Sequence, residues 1–231
     1  MISGKQDVNL YQEYDVKRGL RDSNGKGVLT GLTEISDVNG FKIQDGRKIP
    51  VDGELFFQGY PIRDLIDDFR DRRFNFEEIT YLLLFGALPS QAQLDEFIEI
   101  LAQYRELPSK FVRDVVMKAP SENLMNGMQK SVLTLYSYDE DPEDISIPAV
   151  LRQSLTLITI MPLIAVYGYQ AYQHYHNAKS LVIRYPDEKL STAENILYML
   201  RDNGKFTALE ARVLDACLVI HSEHGGGNNS T

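Results

Sequence analysis

Two histidines stand three residues apart near the end of the chain, as His221-Ser-Glu-His224, and run into Gly225-Gly-Gly227 and Asn228-Asn-Ser-Thr231. The preceding stretch LEARVLDACLVI is apolar at helical spacing. On such a helix Leu214, Cys217, Leu218 and His221 share a face, with His224 one turn further along it. Both rings then approach one place at the C-terminal turn, where unpaired carbonyls and the negative end of the helix dipole suit a positively charged side chain. A histidine held there donates to a carboxylate or carbonyl oxygen of an anionic ligand. Glycines 225 to 227 let the backbone turn closely around that ligand. The Asn, Ser and Thr side chains after them can cap a second helix, which would aim free N–H groups back at the histidines. The same residues also read as a plain helix cap and loop, and spacing alone leaves both uses open. Zinc is the poorer reading, because metalloprotease pairs sit at i and i+4 around a catalytic Glu and no cluster offers a third ligand. Glu223 points to another face and is expected in solvent.

The elements that must position this pair are mostly helical. Asn75 precedes Glu78, Ser90 precedes Gln93, Ser191 precedes Glu194 and Thr207 precedes Glu210, each a spacing suited to reciprocal N-capping. Gly86, Gly204 and Gly225 stand where helices should end. The pattern predicts helices near 62–72, 75–85, 90–105, 109–118, 122–137, 148–175, 191–202 and 207–224. Pro162 lies inside the longest of them and should kink or split it. That apolar run, Ile145 to Tyr175, is interrupted by Pro148, Arg152, Gln153, Pro162 and Gln170, and reads as a core helix rather than a membrane span. Only Val28 to Tyr60 alternates with period two, with Asn39-Gly40 and Asp45-Gly46 as hairpin-turn dipeptides. The expected organisation is an extension over 1–27, a small β-meander over 28–60 and a helical domain over 61–231.

Composition narrows the function classes. With 231 residues, 43% of them apolar, the chain can bury a real core. The net charge of −9 repels nucleic acid and anionic membranes, but leaves room for an anionic small molecule held by local donors. Cys217 is the only cysteine, which excludes an intramolecular disulfide and a Cys-rich metal module. The first residues carry neither a secretory h-region nor a transit-peptide composition, so a cytoplasmic location is expected. The acidic stretch Asp139 to Asp144 reads as a solvated loop between helices.

Beyond periodicity, the literal string AENILYMLRDNGKFTALEARVLDACLVIHSEHGGGNNST, from Ala193 to Thr231, resembles the citrate synthase family segment in which a helix ends in His-x-x-His before a Gly/Asn turn and Asn-x-Ser. Thr30-Gly-Leu-Thr-Glu-Ile-Ser36 and Gly53-Glu-Leu-Phe-Phe-Gln-Gly-Tyr-Pro-Ile62 are similar to that family's N-terminal hairpin and its entry to the first helices. Glu77-Glu-Ile-Thr-Tyr-Leu-Leu-Leu-Phe-Gly-Ala-Leu-Pro89 is similar to its helix ending in a Gly-x-Leu-Pro turn. The resemblance runs from about Val28 onward, with the motifs in order. Met125-Asn126-Gly127-Met128 departs from it, standing where the family commonly has His-Pro before Met.

The resemblance implies a mainly α, multi-helical large domain with a small β-hairpin, and a homodimer. It implies transfer of an acetyl group from acetyl-CoA to oxaloacetate, giving citrate and coenzyme A. Acetyl-CoA enters as co-substrate and no resident cofactor or metal is expected. His224 and Asn228 match positions that face oxaloacetate, Ser230 matches a hydroxyl that orients a catalytic histidine, and His221 matches a residue supporting the pocket. The family's two proton-transferring histidines and its aspartate base find no counterpart up to Thr231, so no catalytic residue is assigned and the chain alone is expected to lack turnover. A 2-methylcitrate synthase and a non-catalytic helical dimerisation module are the alternatives.

Overall fold

A computed structural model describes residues 8–13, 33–68 and 72–223. The elements run α1 (Val8–Glu13), β1 (Ser36–Gln44), β2 (Arg47–Phe57), β3 (Tyr60–Pro61), α2 (Ile62–Asp68), α3 (Asn75–Phe85), α4 (Gln91–Tyr104), a π-turn over Val112–Val116, α5 (Leu124–Leu135), a 3₁₀ turn over Tyr136–Tyr138, α6 (Ile147–Asn177), α7 (Thr192–Leu200) and α8 (Ala208–Ile220). The chain is mainly α, with one antiparallel sheet in the order β1-β2-β3. Two compact units divide it: the described residues up to Ser90 together with those from Ala216, and Gln91–Asp215.

In the first unit two-residue turns set the sheet. Asp45 and Gly46 have φ of 51° and 74°, and Gln58 and Gly59 have 48° and 82°. Two successive positive φ values twist a tight turn in the sense that antiparallel strands require. Asn39-Gly40 does not reverse the chain as expected; β1 runs through it, and the register slips between Asn39 and Phe41. Gly40 stays out of the left-handed region there, so the dipeptide makes a bulge rather than a turn. Phe57 ends β2 fully buried and packs with Leu65 of α2, Ile79 and Leu82 of α3, and Val219. The N-cap of α3 is Phe74, not Asn75. Asn75 turns its amide toward the Arg72 carbonyl at 3.5 Å, and both oxygens of Glu78 accept from Arg72 at 2.9 and 3.0 Å instead of closing a box. Gly86 closes the helix at φ 80°, its N–H donating to the Leu82 carbonyl at 2.8 Å.

The second unit is built on α6. Ile160, Leu163, Ile164, Val166 and Tyr167 bury one side of it against Phe111, Val116 and Met199. α6 is the one helix among the described residues long and apolar enough to cross a membrane, and these contacts place its central turns in a protein core. Pro162 does not split it: the helix continues from Ile147 to Asn177. Side chains tie the neighbours on: Thr159 donates to the Tyr104 carbonyl at 2.9 Å, and Gln170 to the Leu200 carbonyl at 2.9 Å. Tyr167 donates to the Arg184 carbonyl at 3.1 Å, and burial pushes its phenol up to about 12. Ser146 caps α6, and Ser191 with Glu194 forms the reciprocal box on α7. Gly204, expected as a helix end, lies three residues beyond the Arg201 cap of α7 and holds φ 66° in the following turn.

The expected helix over 109–118 is instead a π-turn over Val112–Val116, in which the Met117 N–H donates to the Val112 carbonyl at 2.9 Å. Burial gives the reason. Phe111 is wholly buried and Val116 nearly so, both in the α6 core. On an α-helix residues five apart point about 140° from each other, whereas wider i→i+5 winding swings them to one side.

Candidate functional site

α8 leads directly into the histidine motif. Its first turn is held by the predicted box: the Glu210 N–H donates to Thr207 Oγ1 at 3.2 Å, and the Thr207 N–H to Glu210 Oε2 at 2.8 Å. Arg201 adds a bond to Glu210 Oε1 at 2.6 Å. The three donors, the Thr207 backbone first, hold the Glu210 carboxyl down at about 2. Charge at this end favours the helix, since an acid in the first turn faces the positive end of the dipole.

The buried face of α8 is not the one that carries His221. Ala211, Asp215 and Val219, at successive i+4 steps, are its buried residues, while Leu214 and Leu218 are half-buried and Cys217 and His221 exposed. Asp215 is a buried carboxylate in the middle of that stripe. Its signal in the sequence was present, because it stands four residues from both Ala211 and Val219. Glu223 falls four residues beyond Val219 and is half-buried rather than solvated.

The helix stops at Ile220, short of the expected 224, and side chains bond back onto its last turn. His221 Nδ1 donates to the Cys217 carbonyl at 2.7 Å, and Ser222 Oγ to the Leu218 carbonyl at 2.8 Å. The Cys217 carbonyl also accepts from the His221 N–H at 3.1 Å, so the ring adds a second bond to it, while the Leu218 carbonyl is satisfied by the Ser222 hydroxyl. A carbonyl oxygen only accepts, so in the ring's bond to Cys217 Nδ1 carries a proton. His221 thus bonds back onto the end of α8 through its own ring. His224, Asn228 and Ser230 lie outside the described residues, so the geometry bears on His221 alone among the four candidates. Met125-Asn126-Gly127-Met128 forms the first turns of α5, with the Asn126 N–H donating to Asn123 Oδ1 at 3.1 Å. An Asn cap therefore starts this helix where His-Pro was the expected pattern. Among the described residues no group of three or more His, Cys, Asp or Glu side chains could hold a metal ion.

Comparison with known proteins places this architecture. The family "Citrate synthase, C-terminal domain" matches residues 20–231. A citrate synthase of Haloferax volcanii is 33% identical over 216 residues, covering 91% of this chain and 50% of the relative. A protein named 2-methylcitrate synthase 2, of Corynebacterium glutamicum, is 26% identical, covering 91% and 49% respectively. The crystal structure of a citrate synthase from Pyrobaculum aerophilum superposes with a TM-score of 0.69 at 26% identity, over 90% of this chain and 51% of that one. A Thermoplasma acidophilum citrate synthase, solved with carboxymethyl coenzyme A and oxaloacetate, shares the fold at TM-score 0.68 and 19% identity, over 86% of this chain and 46% of its own. The chain spans about half the length of the relatives it matches. It belongs to the citrate synthase family.

Proposed function

We propose that this chain supplies part of the oxaloacetate shell of an enzyme that condenses acetyl-CoA with oxaloacetate. In that reaction a carboxylate base removes a methyl proton from acetyl-CoA, and the resulting enol carbon attacks the ketone carbon of oxaloacetate. The ketone oxygen gains a proton, and water then cleaves the thioester to release citrate and coenzyme A. His224 and Asn228 are the donors from this chain that hold oxaloacetate and polarise its ketone, as fixed donors aimed at a developing oxyanion do. His221 positions them by capping the end of α8, and Ser230 orients a neighbouring catalytic group. The base and the remaining proton-transfer groups are not assigned to residues of this chain, so the 231 residues alone bind without turning over.

The observation that carries this reading is the helix end itself. The His221 ring is locked onto the Cys217 carbonyl at 2.7 Å, immediately before His224, three glycines and Asn228. The test is kinetic. In the gene product that contains this sequence, His224→Ala should lower kcat/KM for coenzyme A release by roughly 10²–10³-fold, the effect of losing one oxyanion donor. Wild-type turnover in the His224→Ala protein would overturn the assignment, as would coenzyme A release by the 231-residue chain alone.

The relative named 2-methylcitrate synthase, at 26% identity, favours one alternative substrate, propionyl-CoA. The ratio of kcat/KM for the two acyl-CoA thioesters separates the readings. A second copy of the chain is the proposed partner: Leu209, Val213 and Ile220, at i, i+4 and i+11 on α8, leave an apolar stripe exposed. Sedimentation of a dimer is the expected result, and a monomer at all concentrations would count against pairing.

A further inference from the structure

A cavity of about 310 Å³ opens within the Gln91–Asp215 unit, between the end of α5 and the start of α6. Leu135, Leu157 and Ile160 give it apolar walls, and Tyr136 and Tyr138 add two phenol rings. The volume is at the small end of the range for organic ligands, roughly 300–1,000 Å³. Both rings are held in place from outside the cavity. Tyr136 donates to Glu143 Oε1 at 2.5 Å, and Tyr138 packs edge-on against Phe111 with centroids 5.6 Å apart.

Charge selects what fits. Three ionisable carboxylate or guanidinium groups line the cavity: Glu106, Asp139 and Arg152. Arg152 Nη2 donates to Asp139 Oδ1 at 2.8 Å, so the one cation of this wall is already matched. Asp139 also accepts from Gln153 at 3.3 Å and from the Asp141 N–H at 3.1 Å, which fixes the pair as a polar rim. Glu106 remains as an additional carboxylate on the wall. Glu140, Asp141, Glu143 and Asp144 of the adjoining loop are all acidic, and Glu143 is bonded directly to a lining residue. A carboxylate or phosphate entering here meets a negative field, whereas a cation meets attraction from the rim and from the faces of the two rings.

We propose that this cavity is a binding site for a small organic cation, an ammonium group carried on a compact aromatic or branched apolar body. The ammonium sits between the tyrosine rings and the acidic rim, and the apolar body lies against Leu157 and Ile160. The acidic run from Asp139 to Asp144 is then the electrostatic collar of a pocket as well as a connection between helices.

Calorimetric titration of the whole chain with three probes of one shape tests this: 2-phenylethylammonium, 3-phenylpropanoate and 2-phenylethanol. The cation should bind roughly tenfold more tightly than the carboxylate and several-fold more tightly than the alcohol, and added salt should weaken it. Glu106→Gln, at an exposed position, should weaken the cation about threefold and leave the alcohol unchanged. Tyr138→Leu should weaken it by a similar factor. Equal or tighter binding of the carboxylate would overturn the proposal. So would cation binding indifferent to both substitutions, or no binding of any probe because a second copy of the chain covers the cavity.

Discussion

The same side chain has opposite fates in two regions of this molecule. Ile160 and Ile164 of α6 are each 1% exposed, whereas Ile43 of β1 is 71% exposed, with Phe41 and Ile49 also open on the ribbon. In α6 the helical period gathers apolar residues onto one side, and burial of that side determines where the helix lies. In the β1–β2 ribbon the strands are held by backbone pairing and by the Asp45-Gly46 turn. Near that turn the apolar side chains Phe41, Ile43 and Ile49 add little beyond local contacts such as Lys48 Nζ over the Phe41 ring at 4.0 Å, in contrast to Phe57 at the far end of β2. Apolar composition is therefore a guide to stability only where the period finds a partner surface.

Paired substitutions can break that contrast. Ile164→Ala removes a wholly enclosed side chain and should cost about 2–5 kcal/mol, while Ile43→Ala should stay within about 0.5 kcal/mol. Urea unfolding followed by circular dichroism measures both, and losses of similar size would show that the ribbon is as much a core as α6. Backbone effects should run the other way, concentrated in the ribbon. Gly46 sits at φ 74°, where an L side chain is strained, and Gly53 sits in β2 with open space around its would-be Cβ. Gly46→Ala should destabilise by roughly 1–2 kcal/mol, and Gly53→Ala should be near neutral by the same unfolding assay.

What the sequence made legible follows the same division. Signals that act over a few residues were readable: the Asp45-Gly46 turn, the Ser191–Glu194 and Thr207–Glu210 boxes and the left-handed Gly86 all do the local job their chemistry specifies. Signals that depend on a distant partner were not. Glu78 went to Arg72 rather than to Asn75, and the buried pair Phe111 and Val116 turned an expected α-helix into a π-turn. Which face of α8 is buried was out of reach for the same reason. Periodicity shows that a stripe exists, but its choice of Ala211, Asp215 and Val219 follows from what packs against it. The histidine motif was legible as a string of residues. That His221 fixes its own ring on the Cys217 carbonyl is a geometric fact no spacing announces.

The smallest expected effect tests whether a local signal, read correctly, has thermodynamic content of its own. Glu210 is held at about 2, well below its ordinary value of 4.5, chiefly by the Thr207 N–H and then by Arg201 and the Thr207 hydroxyl. A depressed folded-state value means that the ionised form is favoured by folding. Its contribution is thus fully present above about pH 4.5 and is lost as pH falls toward about 2. The side chain is 38% exposed, so solvent screens the interaction and the effect is modest. Comparing Tm of the wild type with that of Glu210→Gln across this window isolates it. Asp114 and Asp139, whose carboxyls are also lowered by their arginine partners, titrate in both proteins and cancel in the difference. The wild-type advantage should be constant above pH 5 and shrink steadily on acidification, roughly as a single titrating group requires. A difference that stays level or grows toward acid would mean that the box stabilises α8 by geometry alone, and that Glu210 shares no charge-dependent bond with Arg201 in solution.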